Sequence, residues 1–338
     1  MPTIAVDAMA GERAPVEAVR GVAEISLQTE IDCLLVGDET RIQAALEEVA
    51  YNPERIGVLH CRDALARDDD PKEALRLRKD ASLLVGLRAV AEGRAEALVS
   101  AGNPGAAILG ATRHFELLPG IRRAALAGVL PRHTEYPGQD PLGLLLDTGA
   151  TVHCEPAELV QFAVMGGAWA RRISKIPSPR VGLLNMGKEE TRGGEVLIEA
   201  HRRLRQQPSL QFVGNVEGDD LVRGTADVVV CEGMVGAVAI KLFEGVAAIL
   251  DDVARAAAER RLMWRVGLRL LSQGVERAQQ LTDDSRYGGA PVLGFRQLLL
   301  TCHHDAAAKT LGNAVKVAAK AVRDRVPAEI ADALGALR

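Results

Sequence analysis

The residues that most clearly suggest a chemical function are those of Val99–Ala106. Their types predict the end of a strand, a glycine-rich turn and the start of a helix. Asn103 is predicted to cap the helix, and Pro104 to be its first residue. Gly102 and Gly105 would let an anion approach the backbone, where the N–H groups of a first helical turn can hold a phosphate or an oxyanion. Because short glycine patterns recur by chance, an ordinary strand-to-helix connection remains open.

Four other apolar runs end in a similar way, each in a polar residue followed by glycine. They are Thr3–Val6 before Asp7 and Gly11, Leu142–Leu146 before Asp147 and Gly149, Val181–Leu184 before Asn185 and Gly187, and Val228–Cys231 before Glu232, Gly233 and Gly236. In open α/β sheets, ligands bind in the crevice beyond the carboxyl ends of the strands. We therefore expect the five loops to lie on one rim of the sheet and to form one site.

Short apolar runs that alternate with helical patterns predict an α/β fold. We expect a three-layer α/β/α sandwich, in which helices cover both faces of a mostly parallel sheet. A chain of 338 residues is long enough for a large core, and one catalytic unit is expected over residues 1–338.

Composition argues against several classes of protein. The five cysteines form no C-x-x-C pair, so neither a disulfide framework nor a zinc ribbon is indicated. The formal net charge of -4 gives no reason to invoke nucleic acid. We find no uninterrupted apolar run of bilayer-spanning length and no signal-peptide pattern, so a cytoplasmic protein is expected.

A long helical pattern without strand signals extends from Lys241 to Gln280, and a helical protrusion is expected over residues 241–285. It carries a cationic stripe with a period of four residues, beside apolar residues that suit membrane contact. The stripe consists of Arg261, Arg265 and Arg269, and the expected membrane contacts are Leu262, Trp264 and Leu268. Such a helix can lie on an anionic membrane surface, and burial in a subunit interface fits the same pattern.

A set of motifs distributed over nearly the whole chain carries a family resemblance. They are Asp7-Ala8-Met9 with Gly11; Arg76 with Lys79-Asp80 and Ser82-Leu83; Ser100–Gly105; Leu145-Leu146-Asp147 with Gly149-Ala150; Arg180–Asn185 with Gly187 and Glu189-Glu190; Gly214–Glu217; Ala226–Cys231; Tyr287–Pro291; and His303, Lys309 and Asn313. Together they resemble the bacterial phosphate acyltransferases of phospholipid synthesis, the PlsX family.

The resemblance implies a fold, a reaction and partners. The fold would be like that of isocitrate dehydrogenases, isopropylmalate dehydrogenases and phosphotransacetylases. The reaction would transfer a fatty acyl group from acyl carrier protein to inorganic phosphate and give an acyl phosphate. The implied partners are acyl carrier protein, phosphate, a second copy of the chain, and the membrane with its glycerol-3-phosphate acyltransferase. No cofactor and no metal are expected.

Phosphate can attack a thioester directly, so positioning and oxyanion stabilisation would dominate catalysis. Asp7 and Asp147 are expected to orient cations or to cap local backbone, and His303 to protonate the leaving thiolate or to make a structural hydrogen bond. The predicted catalytic residues are Asp7, Lys79, Asn103, Asp147 and His303. The predicted phosphate- or substrate-binding residues are Gly11, Arg76, Gly102, Gly105, Ala106, Asn185, Gly187, Lys188, Glu232, Gly233, Gly236 and Lys241.

The loops also depart from the family pattern. Pro104 stands where the family has threonine, which removes one N–H donor and one hydroxyl. Further departures are Ala10-Gly11-Glu12, Thr151, Glu232–Ala237 and His304-Asp305-Ala306. A catalytically impaired membrane scaffold and an enzyme that uses coenzyme A thioesters therefore remain as alternatives. A metal cluster of His303, His304 and Asp305 with His153 and Cys154 matches no established ligand spacing.

Overall fold

The computed structural model describes residues 1–133, 140–260 and 288–337. An 11-stranded sheet forms its centre, with strand order β3-β2-β1-β4-β11-β10-β5-β6-β9-β7-β8. The strands are β1 (Thr3–Asp7), β2 (Asp32–Gly37), β3 (Ile56–His60), β4 (Ala97–Ser100), β5 (Ala125–Pro131), β6 (Leu142–Leu146), β7 (Arg180–Leu184), β8 (Gln211–Val216), β9 (Val228–Val230), β10 (Ala290–Leu293) and β11 (Leu298–Thr301).

Helices cover both faces of this sheet. They are α1 (Val16–Gln28), α2 (Glu39–Glu47), α3 (Pro71–Leu77), α4 (Ser82–Ala91), α5 (Pro104–His114), α6 (Pro156–Arg172), α7 (Gly194–Arg205), α8 (Asp220–Arg223), α9 (Gly233–Arg260), α10 (Ala308–Arg323) and α11 (Val326–Gly335). Successive side chains of a strand point to opposite faces. In β4, Val99 accordingly joins the core beneath α1 and α10, while Leu98 joins the core beneath α4 and α5. The predicted three-layer α/β/α fold is confirmed.

Strand direction reverses inside the sheet. β1, β2, β3, β4 and β11 are mutually parallel. β10 is antiparallel to both β11 and β5, and β6 is antiparallel to β5, while β6, β9, β7 and β8 are parallel to one another. The sheet therefore consists of two parallel halves that run in opposite directions.

This reversal contradicts the prediction of a single rim. The carboxyl ends of β1, β4 and β11 lie at one end of the sheet, which we call the Asp7 end. Those of β6, β9 and β7 lie at the opposite end, the Asp147 end. The apolar runs show that these strands are buried but carry no information on their direction, so the five loops were wrongly assigned to one site.

The long helix α9 carries a row of exposed apolar side chains, from Met234 to Val253. Gly233–Leu250 is long and apolar enough to cross a bilayer, with mean hydropathy 1.8 and 11% of the stretch buried. The sequence search for uninterrupted apolar runs missed it because Lys241 and Glu244 interrupt it. One side of α9 packs on β5 and β6, where the partly buried side chains of Ile240 and Phe243 contact the core. This packing is that of a helix covering a sheet, with an apolar outer face.

α9 is helical over residues 241–260 of the stretch in which a helical protrusion was predicted, and it reaches the limit of the described segment at Arg260, so the protrusion stays a prediction. The cationic stripe and the expected membrane contacts lie outside the described residues. These are Arg261, Arg265 and Arg269, and Leu262, Trp264 and Leu268.

Candidate functional site

At the Asp7 end, the buried carboxylate of Asp7 connects the carboxyl ends of β1 and β4. The Ser100 hydroxyl donates to Asp7 Oδ2 at 2.9 Å, and the Gly102 N–H donates to Ser100 Oγ at 3.2 Å. Burial raises the pKa of Asp7, while hydrogen bonding from the hydroxyls of Ser82 and Ser100 opposes that rise. Asp7 therefore acts on the glycine-rich turn through Ser100 and holds it against the sheet.

The turn itself has the geometry predicted from the sequence. Asn103 is the N-cap of α5, with its side chain accepting from the Ala106 N–H at 3.1 Å, and Pro104 is the first helical residue. The Asn103 amide also donates to the Arg67 carbonyl at 3.1 Å, which fixes the cap from outside. Within the described part of the chain, no acceptor is found for the N–H groups of Asn103 and Gly105. Two donors at a helix N-terminus are thus available to an anion.

Two further loops close around this turn. The Cys302 N–H donates to the Ser100 carbonyl at 2.8 Å, which brings the residues after β11 beside the turn. The Glu12 N–H donates to the His304 carbonyl, also at 2.8 Å. Gly11 has φ +103°, and a Cβ on it would lie 3.2 Å from that carbonyl, so glycine is needed for both backbone conformation and space. The two loops are therefore joined through their backbones at Glu12 and His304, a contact that does not depend on the side chains at these two departures.

Helix α9 brings two charged residues to the same end. Glu244 Oε1 lies 3.5 Å from His303 Nε2, and Glu244 Oε2 lies 2.6 Å from Lys241 Nζ. The sequence analysis predicted Lys241 and His303 but missed Glu244. The available signal was its position three residues after Lys241 on a helix, which is also typical of ordinary surface ion pairs.

The remaining cations predicted for this end are exposed. Arg76 lies on α3, and Lys79 lies in the turn before α4, whose first residue Ser82 faces Asp7. The neighbouring Arg78 is instead held by Asp63 and Asp69. Lys79 is exposed and lies three residues before Ser82, and its role as a phosphate contact stays a prediction.

At the opposite end, Asp147 is fully buried (0% exposed) and organises the backbone. Its Oδ1 accepts from the N–H groups of Leu126, Gly149 and Ala150 at 3.0–3.1 Å. Its Oδ2 accepts from the N–H and the hydroxyl of Thr151 at 2.7 and 2.8 Å. Of the two roles proposed for Asp147, these contacts correspond to capping local backbone.

The glycines that begin α9 serve close packing against this turn. A Cβ on Gly236 would lie 1.9 Å from the Asp147 carbonyl oxygen, and one on Gly233 would lie 2.4 Å from the Thr151 carbonyl oxygen. The Gly233 N–H donates to Thr151 Oγ1 at 3.1 Å, and Glu232 Oε1 accepts from the Cys154 N–H at 3.2 Å. The departures at Thr151 and Glu232 therefore have structural partners at the Asp147 end.

The loop after β7 is held largely by its own residues. The Asn185 amide donates to the Arg192 carbonyl at 3.1 Å, and its oxygen accepts from the Met186 N–H at 2.8 Å. Lys188 Nζ lies 3.4 Å from Asp220 Oδ2. Gly187 and Lys188 line an open depression together with Met186, Glu189, Arg192 and Glu217.

The structure thus divides the predicted site residues into two groups. The Asp7 end brings together Asp7, Gly11, Gly102, Asn103, Gly105, Ala106, Lys241 and His303, with Arg76 and Lys79 on the adjoining segment. The Asp147 end holds Asp147, Asn185, Gly187, Lys188, Glu232, Gly233 and Gly236. Cys154 lies with Glu232 and His303 lies with Glu244, so these residues cannot share the metal ion considered above. The Asp7 end, with free backbone donors, cations and an imidazole, is the candidate site.

Comparison with known proteins assigns this chain to a family. The model of a family described as "Fatty acid synthesis protein" matches residues 2–329. A phosphate acyltransferase of Heliobacterium modesticaldum is 39% identical over 328 residues, which cover 97% of this chain and 96% of the relative. A phosphate acyltransferase of Dictyoglomus turgidum is 36% identical, with coverage of 98% and 97%.

Solved structures resemble this fold at much lower sequence identity. A phosphotransacetylase from Streptococcus pyogenes has a TM-score of 0.63 at 15% identity and covers 95% of this chain and 94% of its own. A branched-chain phosphotransacylase from Enterococcus faecalis has a TM-score of 0.57 at 14% identity, with coverage of 95% and 99%. At this identity the likeness concerns the fold alone.

Proposed function

Because the chain belongs to the fatty acid synthesis protein family, we propose that it transfers a fatty acyl group from acyl carrier protein to inorganic phosphate. The chain is an acyltransferase, in keeping with its relatives, which are named phosphate acyltransferases. The product is an acyl phosphate, a precursor for phospholipid synthesis. The carrier protein as donor rests on the motif resemblance and on the need for an activated, long-chain thioester.

The observation that supports this proposal best is that the N–H groups of Asn103 and Gly105 have no acceptor among the described residues, in a turn that is hydrogen-bonded through Ser100 to the loop carrying His303. Backbone donors at a helix N-terminus bind phosphate or an oxyanion because they carry partial positive charge and point outward. Lys79 adds a full charge on the adjoining segment. These groups suit a reaction in which one anion attacks and a second develops at the carbonyl oxygen.

The reaction needs no covalent enzyme intermediate. A phosphate oxygen attacks the thioester carbonyl carbon, its new C–O bond replaces the C–S bond, and the carrier leaves as a thiolate. His303 gives that thiolate a proton and is reprotonated by the proton that the attacking phosphate loses. The catalytic contribution of the protein is then to hold both reactants and to stabilise the transient oxyanion.

We also propose that the exposed face of α9 joins two copies of the chain, with the segment beyond Arg260 placed at the membrane. Large apolar side chains recur along this face, which gives it the spacing of a helix–helix seam. They are Val235, Val238, Leu242, Val246, Ile249 and Val253. A cytoplasmic dimer peripherally bound at the bilayer would release its acyl phosphate beside the membrane acyltransferase that consumes it.

The test is to mix the purified protein with acyl–acyl carrier protein and phosphate and to detect acyl phosphate by mass spectrometry. The expected product appears with the carrier thioester and depends on phosphate. Product from acyl coenzyme A but not from the carrier thioester would identify the alternative donor. No product from either, with the protein folded, would leave the scaffold alternative and refute the proposed reaction.

A variant pair locates the phosphate site. Replacing Lys79 by alanine should raise the phosphate KM roughly tenfold to a hundredfold, because a charge-assisted contact contributes about 1.5–3 kcal/mol. Arg94→Ala is the matched control, since Arg94 is also exposed but precedes β4 and so lies at its amino end. An unchanged phosphate KM in Lys79→Ala would remove this residue from the site.

A further inference from the structure

The contact between Glu244 and His303 joins the two halves of the sheet. α9 begins after β9 at the Asp147 end and crosses β5 and β6. His303 follows β11 at the Asp7 end and comes 59 residues after Glu244 in the chain. The 3.5 Å approach of Glu244 Oε1 to His303 Nε2 therefore occurs where the helix of one half reaches the candidate site of the other.

The environment of Glu244 differs from that of an ordinary ion pair on the same helix. Asp252 and Arg255 are also three residues apart, but their side chains are 74% and 75% exposed. The Glu244 side chain is 35% exposed and has a partner on each oxygen, Lys241 on its own helix and His303 on another element. A carboxylate that contacts side chains from two different elements constrains their separation, whereas an isolated exposed ion pair contributes little to stability.

We propose that Glu244 is a positioning residue for acyl transfer, holding the His303 imidazole and the Lys241 ammonium group at fixed places beside the Gly102–Ala106 turn. This inference rests on the proposed function. The approach of Nε2 to the carboxylate at 3.5 Å favours one orientation of the ring, in which the other ring nitrogen is left for the reacting groups. The Lys241 side chain is 70% exposed, and its 2.6 Å ion pair with Glu244 keeps the ammonium group next to this carboxylate.

A double-mutant cycle tests whether Glu244 acts through His303. Glu244→Gln keeps the shape of the side chain and removes its charge, and His303→Asn removes the imidazole. We expect Glu244→Gln to lower kcat at least about fivefold, with the KM of the acyl donor nearly unchanged. In the His303→Asn background the same change should have almost no effect, because residues that act as one unit are strongly non-additive.

Two controls separate positioning from structure. Asp252→Asn removes the comparable ion pair on α9 and should leave kcat unchanged. Equal fold-losses from Glu244→Gln in both backgrounds, or an equal loss in Asp252→Asn, would overturn the inference. Circular dichroism and thermal melting establish that each variant is folded.

A second readout does not depend on turnover. In protein labelled with ¹⁵N-histidine, Glu244→Gln should shift the ring nitrogen resonances of His303, assigned through His303→Asn, and Asp252→Asn should not. If the wild-type protein makes no acyl phosphate, the proposed function fails, but this spectrum still shows whether Glu244 contacts the His303 imidazole. Unchanged His303 resonances in Glu244→Gln would refute the positioning role in either case.

Discussion

Replacing Asp147 by asparagine should unfold the protein more readily without changing the chemistry of the molecules that remain folded. The carboxylate is fully buried and accepts from four N–H groups and one hydroxyl. An asparagine oxygen in the Oδ1 position can keep the bonds from Leu126, Gly149 and Ala150. Its NH₂ group would then face the Thr151 N–H, and two donors cannot satisfy each other.

The size of the stability loss follows from the Thr151 N–H, which has no acceptor in Asp147→Asn. A buried donor left without an acceptor costs about 1–3 kcal/mol, and hydrogen bonds to a charged acceptor are stronger than those to a neutral one. The Thr151 hydroxyl can rotate towards Cys154 Sγ, which already lies 3.2 Å away, so its bond is partly replaced. We therefore expect the free energy of unfolding to fall by about 2–4 kcal/mol.

Urea denaturation measures this loss, and the acyl phosphate assay gives kcat per folded molecule at a temperature where both proteins are folded. Thr148, beside Asp147, has a hydroxyl that donates to the Leu126 carbonyl at 3.0 Å, and Thr148→Val serves as a milder control at the same turn. An unchanged urea midpoint together with lost turnover would refute the reasoning, because it would make Asp147 a catalytic group and not a backbone cap.

Three further predictions concern other parts of the structure. Gly236→Ala should destabilise the protein by several kcal/mol, because its Cβ would lie 1.9 Å from the Asp147 carbonyl oxygen. Gly245 has open space around it, so Gly245→Ala should stabilise α9 by about 0.5–1 kcal/mol. Thermal melting of the two variants compares them directly. Burial alone would raise the pKa of Asp227, but hydrogen bonds from Arg180 and Arg132 lower it below its ordinary value of 3.8. The stabilisation that ionised Asp227 provides is therefore present above pH 3.8 and is lost as pH falls through the lowered pKa. Asp227→Asn should lower the free energy of unfolding by about 3–5 kcal/mol at pH 7 and by progressively less on acidification, as urea titrations would show. Pro104→Thr should restore a backbone donor and lower the phosphate KM, and lost activity in a folded variant would mean that the turn depends on proline.

Local structure was predictable wherever neighbouring residues determine it. The cap of α5 at Asn103 and its proline start follow from side-chain preferences within one turn, and both are confirmed. Alternating strand and helix patterns gave the three-layer fold, since burial on both faces requires apolar strands. The family motifs gave the reaction class, which the relatives support.

Contacts between distant segments were not predictable from the same patterns. In the sequence, the spacing of Glu244 and Lys241 predicts an ordinary ion pair on the surface of a helix. Only the path of α9 across β5 and β6 brings Glu244 to His303. Asp147 and Asp7 look alike in sequence, each an aspartate after an apolar run. Asp147 accepts hydrogen bonds from several backbone donors, while Asp7 accepts from Ser100, which in turn contacts the glycine-rich turn at Gly102.

The sequence by itself determined five of the strands (β1, β4, β6, β7 and β9), the cap of α5 at Asn103 and the family, because these depend on residue type and on spacing over a few positions. The tertiary structure alone decided which loops share a site. The antiparallel pairing of β5 with β6 reverses the second half of the sheet and sends Asp147, Asn185 and Glu232 to the end opposite Asp7 and Asn103. Strand direction is set by how the whole chain closes its core, and a buried strand has the same apolar pattern in either direction.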